Sequence, residues 1–346
     1  MGSVIEMASN TAAWINTAKA HPLEVKSAPT HIPGPNEILV RNRAVAMNHI
    51  DRMIQKAAFH PMNYPAILGQ DVAGEVAAVG PGVNRFKEGD RVLGHSILYA
   101  TQQNRDGAFQ QYTIVRANLA SELPDDISFE RACAVPVGLS TAACALFQDT
   151  DLGLQLPTLT APALAPTQVV LIWGGSSSVG SSAVQLSVSA GYEVVATASP
   201  HNFDFVRKLG ASQVFDHQSP DIVDELVSAL AGKTLAGSVD SIGFASATTT
   251  AKVVQRCEGS KRVSTTLPVP AEIPAGVTIK HVRGDELRDN HIGKAIYEDF
   301  LPQALASRTF VPAPEPMVVG QGLGKVQDAL DLLHKGVSAK KLVVVV

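Results

Sequence analysis

The sequence is poor in cysteine, in aromatic residues and in charge, and it has no long apolar run. Its three cysteines, Cys133, Cys144 and Cys257, are far apart and odd in number. They supply neither a disulfide framework nor a paired-cysteine zinc knuckle, and are expected to be buried small hydrophobes in a reducing setting. No stretch reaches the roughly 18 apolar residues that a membrane-spanning helix needs. The apolar stretches Val169–Trp173 and Leu342–Val346 are only strand-sized. The formal net charge is −4, and without a basic block a nucleic-acid partner is not expected. The opening MGSVIEMASN lacks the basic and apolar regions of a secretory signal, and Glu6 breaks the myristoylation pattern. Those ten residues are expected to be disordered. The expected location is cytoplasmic, with no membrane partner.

What is present fits a well-cored globular chain. Hydrophobic residues make up 45% of the sequence and charged residues only 17%. A length of 346 residues suggests two domains of ordinary size. Residues 11 to about 125 read as short strands with frequent turns. Glu37–Val45 follows the turn Pro33-Gly34-Pro35-Asn36, and Gln70–Val79 is an apolar strand broken by glycine. Gly89–Gly94 returns to strand, and Gly107–Val115 alternates in period two. Many short strands with Gly and Pro punctuation predict a small β-barrel.

The pattern then changes. Ser128–Gln148 is Ala-rich and helical in character, with Pro136 breaking it, and Asp151–Pro166 reads as a linker or surface loop. From Gln168 strands and helices alternate. Strands are expected at Gln168–Trp173, Glu193–Ala198, Gln213–Phe215, Val239–Ile242 and Arg262–Thr265. Helices are expected at Val179–Ala190, Asn202–Leu209, Ile222–Leu230 and Ala247–Cys257. That rhythm implies a parallel doubly wound sheet covered on both faces. An amphipathic helix at Gly322–His334 and a strand at Lys341–Val346 close the chain. The strand would either complete the barrel in a monomer or form the edge of a homodimer.

The most informative segment is Trp173-Gly174-Gly175-Ser176-Ser177-Ser178-Val179-Gly180. It follows an apolar strand and opens a helix, the setting in which a Gly-rich turn holds a pyrophosphate. Gly174 and Gly175 permit the turn, Ser176, Ser177, Ser178 and Val179 offer amides, and Gly180 allows close packing on the sheet. The next strand ends in Ser199-Pro200-His201-Asn202, with no carboxylate to hold a ribose 2′-hydroxyl. Ser199, His201 and Asn202 have donors for a 2′-phosphate, so NADPH is preferred to NADH. Arg207 and Lys208 either add charge there or are a solvated helix face.

These residues resemble the medium-chain dehydrogenase/reductase superfamily over nearly the whole chain. Leu68–Val76, Val79-Gly80 and Glu88–Val92 are similar to its N-terminal barrel signature. Trp173–Gly180, Ala183–Leu186 and Ser199–Asn202 are similar to its zinc-free fungal branch, the ToxD-like proteins and the trans-acting enoyl reductases that serve polyketide synthases. The resemblance implies an α/β fold with a GroES-like β-barrel at 11–130, completed by 310–346, and a Rossmann-type domain with a doubly wound parallel sheet at 131–309. It places Asn48 where zinc-dependent members have a cysteine, and Gln70-Asp71 where they have His-Glu, so no metal is expected. It also implies cofactor contacts at His49, Asp51, Thr141, His217, Thr265, Leu267, Lys341 and Leu342. Val137, Gly138, Leu139, Ser140 and Gly284 are implied as substrate contacts.

Relatives often carry a lysine just after the early Asp, where this chain has Arg52-Met53, and Lys56 lies further on. The catalytic candidates are therefore Asn48, Lys56 and Tyr64. Tyr64 has a phenol able to protonate an enolate, and it also reads as a loop aromatic packed on the barrel. The function implied is hydride addition from NADPH to a carbonyl-conjugated carbon–carbon double bond, with the substrate between the domains. The substrate would be a small molecule or an acyl-carrier-bound enoyl group, and the resemblance implies a polyketide synthase as partner for the latter. Two alternatives stand beside it. One is a quinone or alkenal reductase acting on free small molecules, and the other an NADPH-binding protein with a non-redox role.

Overall fold

A computed structural model describes residues 9–160 and 167–346. The chain divides into two compact units, Met1–Pro136 with Glu315–Val346, and Val137–Pro314. The disorder expected of the first ten residues lies outside the described residues for 1–8. Asn10, however, opens the strand Asn10–Ile15, which pairs antiparallel with Glu24–Ala28 and buries all of its side chains but that of Thr11 almost fully. Residues 161–166 of the expected linker also lie outside the described residues.

The first unit is built on the long strand Glu37–Ala46. Asp71–Val79 and Tyr112–Arg116 pair with it antiparallel, and so does Lys340–Val345. Two register shifts against Asp71–Val79, at Leu39/Val40 and Asn42/Ala44, let one strand serve three partners. Arg91–His95 and Ala120–Glu122 extend the sheet. On its other side Lys340–Val345 runs parallel to Glu315–Gln321. The C-terminal strand is thus flanked on both sides, and the expectation that it could be a dimer edge is corrected. Ile38, Val40, Val45, Ile67, Phe109 and Val344 meet in one buried cluster.

Gly107–Val115 is strand only from Tyr112. The preceding residues are held as an irregular turn because the Gln110 side chain donates to the carbonyls of Asn104 and Gly107, at 2.8 and 2.7 Å. The Ala-rich segment splits as its proline dictates. Ser128 caps a short helix, Phe129–Ala132, and Pro136 opens the next, Pro136–Phe147.

In the second unit, the described residues form a six-stranded parallel sheet. In spatial order its strands are Gln213–Asp216, Glu193–Ala198, Gln168–Trp173, Thr234–Asp240, Arg262–Thr265 and Thr278–His281. The order reverses between Gln168–Trp173 and Thr234–Asp240, the point at which open α/β sheets bind ligands beyond their carboxyl strand ends. Strand Thr234–Asp240 starts earlier than its apolar run suggests and carries a bulge at Leu235/Gly237. It stops at Asp240, where the carboxylate turns back on the chain.

Candidate functional site

In the second unit the Gly-rich turn has the geometry of an anion cradle. Gly174 sits at φ +79°, a conformation that favours glycine. Its amide donates to Thr197 Oγ1 at 3.1 Å, and the Gly175 amide donates to the Thr197 carbonyl at 2.8 Å. Thr197, on the neighbouring strand, thereby fixes the turn. Ser177 caps the helix Ser178–Ser189 by accepting from the Gly180 amide at 3.0 Å. The amides of Ser178 and Val179 have no acceptor inside the helix and lie at its positive end. Gly180 packs on the turn itself, since a Cβ there would fall 2.1 Å from the Gly174 carbonyl oxygen. That close approach, rather than packing against the sheet, is what forbids a larger residue.

At the tip of the next strand, the Ser199 hydroxyl and His217 Nε2 lie 3.1 Å apart. No carboxylate stands in Ser199–Asn202. Arg207 is paired with Asp204 at 3.3 Å and lies over the Phe203 ring, so it belongs to its own helix face. His201 is exposed, whereas Asn202 is buried.

The segment opening Pro136–Phe147 is brought to the same turn. A Cβ on Gly138 would fall 2.6 Å from the Ser178 carbonyl oxygen, so the absent side chain lets the two helix starts touch. Gly284 lies against Thr141, whose hydroxyl donates to the Val137 carbonyl at 2.8 Å. Val137 and Gly284 keep accessible area. Leu139 and Ser140 are wholly buried, and the Ser140 hydroxyl is 2.7 Å from that of Tyr297, also wholly buried. Both side chains are enclosed in the packed interior of this unit.

In the first unit a charged network surrounds the start of the helix His49–Ala57. Asn48 Nδ2 donates to Asp71 Oδ2 at 2.8 Å, and Lys341 Nζ donates to Asn48 Oδ1 at 2.6 Å. Lys341 is 4% exposed and pairs with Asp71, which is 0% exposed, at 2.8 Å. The Asp51 carboxylate accepts from the amides of Asn48 and Gly69, at 2.8 and 3.2 Å, and from the Tyr99 hydroxyl. Burial raises the Asp51 pKa to about 6, against the pull of those donors. The His49 ring keeps solvent-accessible area, yet its pKa falls to about 4, through desolvation first and then the charges of Arg52 and Lys341. The ring is neutral at pH 7.

Residues 34–125 match the alcohol dehydrogenase GroES-like domain. The zinc-binding alcohol dehydrogenase domain-containing protein cipB of Emericella nidulans is 52% identical, with 97% of this chain and 98% of that one covered. Trans-enoyl reductase himH of Aspergillus japonicus is 40% identical, with 97% of each chain covered. Among solved structures, an alcohol dehydrogenase superfamily protein from Novosphingobium aromaticivorans superposes with a TM-score of 0.80. It is 24% identical and covers 97% of this chain and 99% of its own.

The chain belongs to the medium-chain dehydrogenase/reductase family.

It is therefore an oxidoreductase of that family, with the GroES-like and Rossmann-type parts expected from its sequence. Several residues carried over from the family pattern are turned inward here. The side chains of Asp51 and Lys341 are spent on the network just described. Leu342 is core, and the Thr265 hydroxyl donates to buried Asp240 at 3.0 Å. Leu267, by contrast, is only half-buried, beside Gly243. Nor do the three catalytic candidates form one constellation. Asn48 is held by Asp71 and Lys341. Lys56 lies about 12 Å along the helix from Asn48, at 1.5 Å per residue, on the exposed last turn where its charge acts on Asp331. Tyr64 packs on the core, and its buried hydroxyl has no hydrogen-bond partner among the described residues.

Among the described residues, no three His, Cys, Asp or Glu side chains gather as metal ligands. The three cysteines are buried free thiols. No described helix is long and apolar enough to cross a membrane.

Sequence reasoning missed the Lys341–Asp71 pair, the Asp51–Tyr99 contact and the Asp240 carboxylate. Only Asp240 carried a local signal: an acidic residue ending an apolar strand, just before a glycine-containing turn.

Proposed function

We propose that this chain is an NADPH-dependent reductase of carbonyl-conjugated carbon–carbon double bonds, of the trans-acting enoyl reductase type, working without zinc. The observation that carries the reading is the tip of the strand Glu193–Ala198. A serine–histidine pair stands there instead of a carboxylate, next to a Gly-rich turn with open helix-start amides. The chemistry of the residues fits the cofactor. The amides of Ser178 and Val179 would hold the pyrophosphate. Ser199 and His217 would hold the 2′-phosphate, which an acidic residue would repel.

When bound, reduced nicotinamide supplies a hydride for the β-carbon of an enoyl thioester. The protein's part is to position the substrate and exclude water while negative charge develops on the carbonyl oxygen. Water or a side chain would then protonate the α-carbon. Asn48, Asp71 and Lys341 occupy one another, a donor set that suits an internal ammonium better than a thiolate-seeking metal. An enoyl group on a carrier domain of a polyketide synthase is the substrate this reading favours.

The test is NADPH consumption with a crotonyl thioester, a free enone and a quinone, each repeated with NADH. Turnover of the thioester with NADPH supports the proposal. Turnover of only the quinone or enone moves the assignment to a free-substrate reductase. NADPH binding without turnover of any of them favours a non-redox role.

A further inference from the structure

In the first unit the helices His49–Ala57 and Lys325–Lys335 lie side by side, tied by polar side chains. Gln55 Nε2 donates to Gln327 Oε1 at 2.8 Å, and the Leu23 amide donates to the same oxygen at 2.9 Å. His21 Nε2 lies 3.1 Å from both carboxylate oxygens of Asp331, which also accepts from Gln327 Nε2 at 3.0 Å. Asp328 is paired with Lys325 at 2.8 Å. Both acids of the second helix are therefore engaged within the fold, and so is Asp51, the acid of the first.

The cations of this seam are not. Arg52 and Lys56 stand four residues apart on one face of their helix, a like-charge spacing that costs a helix stability. Lys335 follows Asp331 by the same spacing and is exposed. None of the three forms an ion pair among the described residues, and Lys56 acts on Asp331 only at longer range. Arg52 is held least comfortably. Its Nε is buried with no hydrogen-bond partner among the described residues, an arrangement that costs free energy. Its Nη1 lies 3.4 Å from His334 Nδ1, a basic side chain where an acid would be expected. In a chain of net charge −4, stability alone gives no reason to gather positive charge here.

The seam opens beside the charged network at the helix start. Arg52 is one helical turn beyond Asn48, and its charge reaches the His49 ring, which keeps solvent-accessible area. An enoyl thioester that arrives on a pantetheine arm brings an ionised phosphate at the far end of that arm. Unpaired N–H donors with positive charge are the groups that bind such a phosphate. We propose that Arg52 and Lys335 hold the phosphate of a pantetheine-borne enoyl substrate, with Lys56 adding its charge to the same groove. The inference rests on the enoyl thioester reading given above. The same chemistry reaches the seam from a carrier domain or from coenzyme A.

Steady-state kinetics with crotonyl pantetheine and crotonyl phosphopantetheine, identical but for the phosphate, test it. Wild type is expected to show the lower KM for the phosphorylated thioester, with the advantage shrinking as salt is raised. Arg52→Gln and Lys335→Gln should each raise that KM about threefold to fivefold, the scale of one exposed ion pair. The kcat and the KM for crotonyl pantetheine should not change, and Arg52→Lys should retain most of the advantage. Lys335 is exposed, so Lys335→Gln keeps the test open should Arg52→Gln fold poorly. Crotonyl coenzyme A and a crotonyl carrier domain then separate the sources. A rise in KM with the carrier-borne thioester beside that with free phosphopantetheine names the carrier, and a rise with coenzyme A but not the carrier names coenzyme A. Equal KM for the two pantetheine thioesters in wild type, or variants that affect both alike, overturns the phosphate site while leaving the reductase reading intact. A loss seen with the carrier domain and not with free phosphopantetheine also overturns it, since that result makes the seam a contact for the carrier's protein surface. If wild type turns over none of these thioesters, the enoyl thioester reading fails and the phosphate site with it.

Discussion

The Lys341 ammonium lies 2.8 Å from the Asp71 carboxylate, and both side chains are almost wholly buried. The pair joins the C-terminal strand to Asp71–Val79 across the long strand Glu37–Ala46. Removing one member would leave an uncompensated buried charge, which costs about 3–5 kcal/mol. Lys341→Met is expected to lose that much in chemical denaturation. The double substitution Lys341→Met with Asp71→Leu should recover a large part of it. A loss below about 1 kcal/mol for the single variant would mean the pair is held far more loosely than its burial indicates.

Gly180→Ala places a methyl 2.1 Å from the Gly174 carbonyl oxygen, which is backbone and cannot swing aside. The turn must shift. A stability loss of about 1–3 kcal/mol is expected, the range for overpacking, together with a marked loss of NADPH affinity by fluorescence titration. Wild-type affinity in a folded Gly180→Ala protein would remove the turn from the cofactor site.

Ser199→Asp puts a negative charge where the 2′-phosphate is proposed to sit. The ratio of kcat/KM for NADPH to that for NADH should fall at least about tenfold, the effect of a repulsion near 1.4 kcal/mol. An unchanged ratio from steady-state kinetics would place 2′-phosphate recognition elsewhere.

Tyr99→Phe removes the hydroxyl that donates to the buried Asp51 carboxylate. Asp51 titrates near 6, above the ordinary carboxylate value of 3.8, because burial disfavours its charge. With a raised folded pKa, its contribution to stability is complete below the ordinary value and is lost as pH rises through about 6. The donated bond matters most where the carboxylate is charged. Near pH 8 Tyr99→Phe is expected to cost about 1–3 kcal/mol, with a smaller gap near pH 5, read from denaturation curves at the two pH values. A gap that does not change with pH would contradict this role for Tyr99.

The parallel sheet was readable because burial on both faces forces near-continuous apolar strands, as in Gln168–Trp173 and Glu193–Ala198. The Gly-rich turn was readable because its spacing is local. Thr278–His281 went unread, since four residues with one buried side chain leave no pattern. The strand expected at Val239–Ile242 runs instead over Thr234–Asp240, because apolarity continues past Asp240 to Ile242 in the loop. Asn48 illustrates what a single sequence withholds. Its place in a family pattern suggested chemistry, whereas its partners, Asp71 and Lys341, are assigned by sheet register over long separations. Strain at Phe244 is likewise a property of backbone angles that no residue type announces.

The most direct test of the account follows the hydride. Wild-type protein would be incubated with a crotonyl thioester and NADPH deuterated at the transferable position, and the product examined by mass spectrometry and NMR. A saturated butyryl thioester with one deuterium on its β-carbon is expected. Deuterium at a carbinol carbon, or none in the product while the cofactor is consumed, would contradict it.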